Sequence, residues 1–405
     1  MKRTATDSDP LAHLADEVDE LRRNDLYRPL RIMSGPQQAH TTVDGRRVIS
    51  LSSNNYLGLT THPRLVQAAL DAVRDLGVGT GAVRTIAGAT ELIERLEQRL
   101  AAFKHVEAVL TLQSGLTANS GTIPAITAEG DLIVSDELNH ASIIDGVRLS
   151  RAERAVFPHR DVDGLESVLR GARANGGKNG PYRHILVITD GVFSMDGDIA
   201  PLPGICDVAE RYAAAVMVDD AHASGVLGTN GRGTIDHFDL HGRVDIQVGT
   251  LSKAVGVMGG YIAGRQHLKD YLVQRCRPLL FSTSQPPAVA AACIAAIDVM
   301  EQEPERLERL WKHTEFFKSG LRALGFDTGI SETPITPVMC GDETRAQQLA
   351  AGLFEEGIFA TSVVYPTVPL GRARVRTIVT SEHSRDDLQA CLDAFEKVGR
   401  ELRLI

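Results

Sequence analysis

The sequence contains little cysteine, no long apolar run and no excess of positive charge. Its five cysteines are spread over 405 residues, are odd in number and form no C-x-x-C pair. A chain of this length buries a core large enough to need no disulfide or metal, so we expect free thiols in a reducing compartment. No run approaches the roughly 20 apolar residues of a membrane span. Because the N-terminus also lacks the apolar centre of a signal peptide, the sequence predicts a cytoplasmic protein.

The charge balance argues against polyanionic partners. Lys and Arg together number 43 against 52 for Asp and Glu, which gives a formal net charge of −9. General electrostatics therefore predicts no binding of nucleic acid or of an anionic membrane, although a local site for an anionic cofactor is still possible. With 43% hydrophobic and 23% charged residues, the chain has a globular composition that excludes disordered, collagenous and coiled-coil classes.

Short apolar runs alternate with helical periods through the middle of the chain. This alternation predicts an α/β fold with a mostly parallel sheet. We divide the chain into an N-terminal arm (1–48), a large α/β domain (49–285) and a small C-terminal α+β domain (286–405). The predicted strands are residues 108–112, 132–134, 185–188, 215–218 and 246–248.

Helical spacing of apolar residues places the main helices. One long helical stretch is expected from 287 to about 324, and a short polar helix near residues 14–23. Ser384 and Asp387 form a capping-box pattern before the last helix. The apolar positions that carry the other predicted helices are Val66, Leu70 and Val73; Ile93, Leu96, Leu100 and Phe103; and Leu388, Cys391, Leu392, Phe395 and Val398.

Polar residues follow three of the predicted strands, where ligands of open α/β sheets bind. A glycine turn at 113–119 opens a helix and suits a phosphate, although ordinary strand-to-helix turns look the same. Asp219 and Asp220 end another strand, where two buried acids require a cation; with His222 nearby, a metal is an alternative. Lys253 follows a third strand among small residues, where a desolvated amine can form a Schiff base.

A phosphate cradle, a carboxylate and an imine-forming lysine at neighbouring strand ends are what pyridoxal phosphate requires. The carboxylate keeps the pyridine nitrogen protonated, and the lysine carries the aldehyde. His140 follows a further predicted strand and is placed to lie on such a ring, although a lone histidine is usually structural. The three sites together predict pyridoxal phosphate more strongly than any one of them alone.

From about residue 25 to residue 404, the chain resembles the α-oxoamine synthases, a family of fold-type I pyridoxal phosphate enzymes. The motifs occur in the family's order, which makes the resemblance specific. They are SNNYLGL (53–59), NHAS (139–142), TDGVFSMDG (189–197), VDDAH (218–222), GTLSK (249–253), FSTS (281–284), PTVP (366–369) and RVRT (374–377). The resemblance implies a large domain with a mostly parallel seven-stranded sheet and a small C-terminal α+β domain.

The resemblance also assigns roles to individual residues. It implies that Lys253 binds the cofactor aldehyde and moves the Cα proton, Asp219 pairs with the pyridine nitrogen, His222 reaches the ring's phenolic oxygen and His140 stacks on the ring. It implies that Ser282 and Thr283 reach the phosphate of the neighbouring subunit, so that a homodimer shares its sites. The remaining implied contacts are Ser114, Gly115, Leu116 and Thr250 at the phosphate, Asn54 and Ser194 in the pocket, and Arg376 at the substrate carboxylate.

The implied activity is the condensation of glycine, or another small amino acid, with an acyl-CoA thioester. Within the family, the segments 138–149, 274–284 and 365–377 point to the glycine C-acetyltransferase branch; 8-amino-7-oxononanoate synthases and carrier-protein-dependent enzymes are the alternative. The acyl chain length and any decarboxylation stay open. Ile93 stands where many relatives carry histidine, which leaves the identity of the substrate in question.

Alternation along residues 374–379 puts Arg374 and Arg376 on one face of a strand, where a guanidinium suits a carboxylate. Arg374 is equally well explained by a surface ion pair.

A dinucleotide-binding fold is disfavoured, because the glycines at 77–82 follow a helical pattern rather than a strand. An aminotransferase or an aldolase is the alternative within pyridoxal chemistry. The intact Lys253 argues against a non-catalytic subunit.

Overall fold

The computed structural model describes residues 9–24, 26–27 and 29–405 of the chain. Residues 1–8, 25 and 28 of the predicted N-terminal arm lie outside the described residues. The predicted polar helix is present as α1. The helices are α1 (Ala12–Arg23), α2 (Pro63–Leu76), α3 (Glu91–Lys104), α4 (Gly115–Ile126), α5 (Ala141–Leu149), α6 (Val162–Asn175), α7 (Leu202–Arg211), α8 (Thr234–His237), α9 (Gln266–Arg275), α10 (Arg277–Phe281), α11 (Pro287–Gln302), α12 (Glu305–Ala323), α13 (Glu343–Glu355) and α14 (Arg385–Glu401).

The strands form one large sheet and two small ones. They are β1 (Met33–Ser34), β2 (His40–Val43), β3 (Arg46–Ser50), β4 (Ala108–Leu112), β5 (Leu132–Asp136), β6 (Glu153–Phe157), β7 (Ile185–Asp190), β8 (Ala215–Asp219), β9 (Ile246–Thr250), β10 (Gly260–Gly264), β11 (Ile335–Gly341), β12 (Ile358–Phe359), β13 (Thr361–Val363) and β14 (Ala373–Ile378). The seven-stranded sheet has the order β4-β10-β9-β8-β7-β5-β6. Its pairs are parallel except for those of β10, which is antiparallel to β4 and β9. The predicted mostly parallel sheet is therefore confirmed.

Both faces of the large sheet are covered, which explains its continuous apolar strands. Along β7, Val187 packs into one cluster of buried side chains, with Leu165 of α6 and Ile205 of α7. Its neighbours Leu186 and Ile188 point the other way, into a second cluster formed with α4, α5 and α9. Alternate residues of a strand face opposite sides, so a strand between two helical layers is apolar at every position.

The sequence prediction missed two strands of this sheet. At the edge, β6 alternates half-buried and exposed residues, with only Phe157 buried, and it lacks the fully buried apolar run that marks the central strands. Glycines border β10 at both ends, a composition that suggests a loop. One of them, Gly260, lies so close to the backbone of Ser114 that no larger residue fits without displacement. The approach of β10 to the start of α4 therefore depends on glycine.

The predicted helical stretch from 287 to about 324 is not one helix. It divides into α11 and α12 at Glu303 and Pro304. Proline lacks a backbone N–H and clashes with the preceding turn, so it starts a new helix rather than continuing the old one. The last helix agrees with the prediction, because Ser384 and Asp387 form a reciprocal capping box and the predicted apolar face is buried.

The helix predicted from Val66, Leu70 and Val73 is present as α2, but these three side chains are exposed by 38–59%. The opposite face, with Leu65 and Ala72, is buried instead. The helix predicted from Ile93 onward is α3, and the apolar stripe that contains Ile93 is buried. An apolar residue at position 93 therefore fits the core of this chain.

The strand β3 begins in the predicted arm and lies parallel to β12 of the C-terminal part, where Ile49 and Ser50 pair with Ile358 and Phe359. The division into an arm (1–48), a large domain (49–285) and a small domain (286–405) stays a prediction.

All five cysteines are buried free thiols, as expected. Among the described residues, no helix has both the length and the apolarity needed to cross a membrane.

Candidate active site

A pocket of about 200 Å³ opens at the carboxyl ends of the central strands. It contains all the predicted catalytic residues and nine of the eleven predicted cofactor-binding residues. The lining residues are Ser114, Gly115, Leu116, His140, Ser142, Asp190, Val192, Ser194, Asp219, Ala221, His222, Thr250, Ser252 and Lys253. Residues more than one hundred positions apart in the chain thus meet at one edge of the sheet, where parallel strands present their ligand-binding ends.

Asp219 is the last residue of β8, and hydrogen bonds fix its carboxylate. One oxygen accepts a bond of 2.6 Å from the Asn119 amide, and the other accepts the Ala221 N–H at 2.9 Å. The same Asn119 amide donates to Ser142 at 2.9 Å. A carboxylate held by neutral donors is available to a cationic ring nitrogen, so the arrangement suits the predicted pairing better than a metal.

His140 caps the N-terminus of α5, and this position fixes its ring. Its Nδ1 accepts the Ser142 N–H at 3.2 Å, and its own backbone N–H donates to the Asp190 carboxylate at 2.8 Å. Burial lowers the pKa of His140, which favours the neutral ring with its proton on Nε2. A neutral aromatic ring held at the pocket wall is suited to stack on a planar cofactor.

His222 forms a buried pair with Tyr56, whose phenol oxygen lies 2.8 Å from Nδ1. Burial, followed by the positive charges of Lys253 and Arg376, lowers the pKa of His222 well below its usual value. Burial raises the pKa of Tyr56, so the phenol keeps its proton and donates it to Nδ1. The ring of His222 is therefore neutral, with its other nitrogen available as a donor.

Lys253 has an amine suited to nucleophilic attack. Burial lowers its pKa to about 8, although Asp219 and Asp190 oppose the shift. The residues that the structure describes provide the amine with no hydrogen-bond or ion-pair partner. An amine with this pKa is deprotonated in a useful fraction of molecules at neutral pH, as formation of a Schiff base requires.

The start of α4, predicted as an anion cradle, is a capped helix N-terminus. Ser114 and Thr117 form a capping box, so the remaining first-turn N–H groups, those of Gly115 and Leu116, have no partner inside the helix. Thr250 lies beside Gly115, and its hydroxyl is 2.7 Å from that of Ser252. Two free N–H groups, a helix dipole and two hydroxyls suit the phosphate of pyridoxal phosphate.

Arg376 and Asn54 lie together, with a hydrogen bond of 3.3 Å between them. The Nε of Arg376 is buried without a hydrogen-bond partner, which fits a guanidinium that binds a substrate carboxylate. Arg374 has a different role, because it is 2% exposed and pairs with Asp196 at 2.6 Å. The expected surface ion pair is therefore wrong in its location: the pair is buried, because the segment between β7 and α7 that contains Met195 and Asp196 packs against the guanidinium.

Ser282 and Thr283 do not line the pocket of their own chain. Thr283 forms an isolated β-bridge with Val83, and its carbonyl accepts a bond of 2.7 Å from Gln113. Their predicted contact with the partner's phosphate stays a prediction.

Sequence reasoning missed four residues that shape the site: Tyr56, Asn119, Ser142 and Asp190. All four lie within or directly beside the motifs quoted above, but the sequence pattern assigns no role to them. The signal for Asp190 is its position at the end of a predicted strand, the same signal that identifies Asp219. For Tyr56 there is no signal, because its partner His222 is 166 positions away.

The cation that Asp219 and Asp220 require is Lys104, which lies 3.0 Å from Asp220. The metal interpretation of residues 219–222 is therefore replaced by an ion pair. A separate group, His105, Asp236 and His241, brings its ligand-type atoms within 4.8 Å of one another. Asp236 already accepts a hydrogen bond from the Thr229 N–H and pairs with His241. We assign no metal there.

Comparison with known proteins identifies the family. The model "Aminotransferase class I and II" matches residues 46–395. An 8-amino-7-oxononanoate synthase of Symbiobacterium thermophilum is 58% identical over 97% of this chain and 98% of its own length. The chain belongs to the α-oxoamine synthase family. Among its members, 8-amino-7-oxononanoate synthase 1 of Bacillus subtilis is 54% identical over 97% of this chain and 98% of that protein.

Solved structures agree with this assignment. A serine palmitoyltransferase from S. paucimobilis, solved with an adduct of pyridoxal phosphate (PLP) and myriocin, superimposes on this α-oxoamine synthase with a TM-score of 0.91 and 31% sequence identity. The alignment covers 98% of this chain and 100% of the palmitoyltransferase chain. An 8-amino-7-oxononanoate synthase from Francisella tularensis has a TM-score of 0.75 and 26% identity over 88% of this chain and 99% of its own.

These findings confirm the predicted family, the fold-type I architecture, the pyridoxal phosphate cofactor and the class of enzyme, a C-acyltransferase. They favour the alternative branch over glycine C-acetyltransferase, because the Symbiobacterium and Bacillus relatives, which share more than half of their residues with this chain, are both 8-amino-7-oxononanoate synthases.

Proposed function

We propose that this enzyme makes 8-amino-7-oxononanoate, or a close homologue of it, from a small amino acid and an acyl thioester. The observation that supports the substrate class is the 58% identity to an 8-amino-7-oxononanoate synthase over nearly the whole chain. The observation that supports the reaction is the pocket itself, in which Lys253, Asp219 and His140 surround one cavity. The sequence predicts glycine as the amino acid substrate, so glycine is included in the substrate panel described below.

The product's carbon skeleton specifies its precursors. A nine-carbon acid with a ketone at C7 and an amine at C8 divides between these two carbons into alanine, without its carboxylate, and a seven-carbon dicarboxylic acyl group. The bond from the alanine Cα to the acyl carbonyl forms, the thioester C–S bond breaks, and the alanine carboxylate leaves as CO₂. The proton removed from Cα is replaced after decarboxylation, and the departing thiolate takes one proton from solvent.

The residues of the pocket fit pyridoxal phosphate in each of its parts. The N–H groups of Gly115 and Leu116 are placed for the phosphate, Asp219 for the ring nitrogen and His140 for the ring face. When bound, pyridoxal phosphate supplies an aldehyde for the substrate's amino group and a ring that withdraws electrons from Cα. Lys253, whose amine has no other partner among the described residues, is placed to hold that aldehyde.

The chain's own residues then perform the proton transfers. Lys253 would be the base for the substrate's Cα proton, since its pKa of about 8 suits a group that both takes and returns a proton. Arg376 orients the substrate through its carboxylate, with Asn54 holding the guanidinium. His222, neutral and fixed by Tyr56, would donate a hydrogen bond to the cofactor's phenolic oxygen.

The exposed apolar residues near 282–283 support a homodimer with shared sites. Val78, Ile86 and Phe281 are 72–82% exposed, and each lies within five residues of Val83 or Thr283, which form a β-bridge. Large exposed apolar side chains close together mark interaction surfaces. A second copy of the chain docked here would bury them and bring Ser282 and Thr283 toward its phosphate cradle.

A substrate panel tests the proposed function. Glycine, alanine and serine are each paired with acetyl-CoA, longer acyl-CoA thioesters, seven-carbon dicarboxylic acyl-CoA and the same acyl group on a carrier protein. We expect free thiol and the mass of 8-amino-7-oxononanoate from alanine with the seven-carbon donor. Preferred use of glycine with acetyl-CoA would restore the glycine C-acetyltransferase interpretation, and transfer of nitrogen without thiol release would favour an aminotransferase.

A Lys253→Ala variant tests the chemistry independently of the substrate. We expect it to lose both turnover and the visible absorbance of the bound cofactor. Retention of both properties would remove Lys253 from its proposed role.

A further inference from the structure

A buried ion pair lies directly behind the carboxylate that faces the pocket. Lys104, the last residue of α3, is 1% exposed, and Asp220, the residue after Asp219, is fully buried. Their charged atoms are 3.0 Å apart. Buried charges are costly to desolvate, and such a pair is rarely kept for stability alone, because apolar side chains of similar size serve as well.

Asp220 connects the ends of three neighbouring strands. Its backbone N–H donates to Val248 of β9 at 2.7 Å, and its carboxylate accepts the Thr234 N–H at 3.2 Å. Gly191, which follows β7, and Gly233 approach this carboxylate so closely that a side chain at either position would collide with it. The carboxylate therefore fills the space between the strand ends that form the base of the pocket.

Lys104 extends the same network to β10. Its ammonium donates to the Arg232 carbonyl and lies 3.4 Å from the Ser224 hydroxyl, which in turn is 2.7 Å from the Tyr261 hydroxyl. Burial lowers the pKa of Lys104, but Tyr261 and Asp220 outweigh it and raise the pKa overall. The ammonium thus stays charged and compensates Asp220.

We propose that Lys104 is a positioning residue for the cofactor: by neutralising Asp220, it keeps Asp219 aimed into the pocket. Asp219 and Asp220 are consecutive, and the Ala221 N–H that holds one Asp219 oxygen at 2.9 Å belongs to the same turn. Without Lys104, a charged Asp220 would turn toward water and move that backbone. This inference rests on the proposed role of Asp219.

The test compares Lys104→Met with Lys318→Met in the full-length chain. Lys318 is also buried, but its ammonium donates to the Ser331 and Thr333 carbonyls and not to Asp220. We expect Lys104→Met to raise the dissociation constant of pyridoxal phosphate about tenfold, a usual effect of losing a group that orients a ligand-binding side chain. Its kcat should fall while the KM of the thioester stays unchanged. Lys318→Met should lower the melting temperature but leave cofactor affinity at the wild-type value.

The double variant Lys104→Met, Asp220→Asn removes both charges and should recover most of the lost cofactor affinity. If Lys104→Met does not fold, Lys104→Gln provides the same test, because a neutral amide can still donate to Asp220 and the Arg232 carbonyl but supplies no compensating charge; weakened cofactor binding is again expected. A Lys104→Met chain with reduced melting temperature but wild-type cofactor affinity and kcat would overturn the inference, as would a double variant no better than the single one.

Asp219→Asn, measured in parallel, separates this inference from the proposed function. Wild-type activity in Asp219→Asn would contradict the role of Asp219 itself. Loss of activity there, together with unchanged cofactor binding in Lys104→Met, would contradict only the role of Lys104.

Discussion

Asp190 and Asp219 are direct neighbours across the parallel strands β7 and β8, and both carboxylates face the same pocket. Burial, and then the negative charge of Asp219, raises the pKa of Asp190 well above its usual value. The backbone N–H of His140 donates to Asp190 at 2.8 Å. Thus Asp190 accepts a proton more readily than an ordinary carboxylate and anchors His140, next to the Asp219 carboxylate that we propose for the ring nitrogen.

Asp190→Asn should stabilise the cofactor-free chain increasingly as the pH rises. A carboxyl group whose folded pKa lies above its unfolded pKa contributes stability at low pH that is lost as the pH rises through the folded value. The asparagine has no charge to bury, so the variant avoids this loss. Thermal unfolding between about pH 5 and about pH 9 measures the difference in melting temperature. A difference that does not change with pH would contradict the raised pKa.

The amine of Lys253 should react with a small amine-specific reagent along a titration curve centred near pH 8. In the cofactor-free protein, the labelling rate should rise about tenfold between about pH 7 and about pH 9 and then level off. Mass spectrometry of the peptide containing residue 253 measures the rate, and the exposed Lys312 serves as an internal reference. A rate that continues to climb steeply above about pH 9 would show that burial does not lower this pKa.

Arg376→Lys should weaken binding of the amino acid substrate without affecting the acyl donor. A lysine keeps the charge but cannot form the paired hydrogen bonds of a guanidinium with a carboxylate. We expect the KM of the amino acid to rise about tenfold to hundredfold, or ~1.4–2.8 kcal/mol. Steady-state kinetics with each substrate varied in turn checks this, and equal changes in both KM values would argue against a carboxylate contact.

Arg374→Met should instead reduce the free energy of unfolding. Removing one partner of a buried ion pair leaves Asp196 uncompensated, which typically costs about 3–5 kcal/mol. Denaturant unfolding measures the loss. An unfolding free energy within about 0.5 kcal/mol of the wild type, as for most surface substitutions, would show that the pair with Asp196 is not required.

Mixing two inactive variants tests whether sites are shared between subunits. One chain carries Lys253→Ala, and the other carries Ser282→Ala with Thr283→Ala. In a dimer with shared sites, a mixed pair contains one intact site, so random exchange should restore about a quarter of the wild-type activity. Phe281→Asp should prevent this rescue by charging the exposed apolar surface. No rescue by stable mixed dimers would show that each chain completes its own site.

The sequence determined much of this protein because its key signals are local. The apolar runs of the central strands, the capping box of Ser384 and Asp387, and the motifs around Lys253 and Asp219 each lie within a few residues of one another. Strand ends of a parallel sheet converge, so the site could be predicted from three such segments. The edge strand β6 and the glycine-bordered β10 gave no such local signal.

Only the tertiary structure decided which distant groups meet. The pairing of Lys104 with Asp220, of Tyr56 with His222 and of Arg374 with Asp196 joins positions more than one hundred residues apart. Local sequence patterns carry no information about such pairs, because the free energy that selects them comes from burial and charge compensation in the folded chain. Arg374 and Arg376 show this clearly: one strand presents both, but Arg374 pairs with Asp196 while the Nε of Arg376 is buried without a partner.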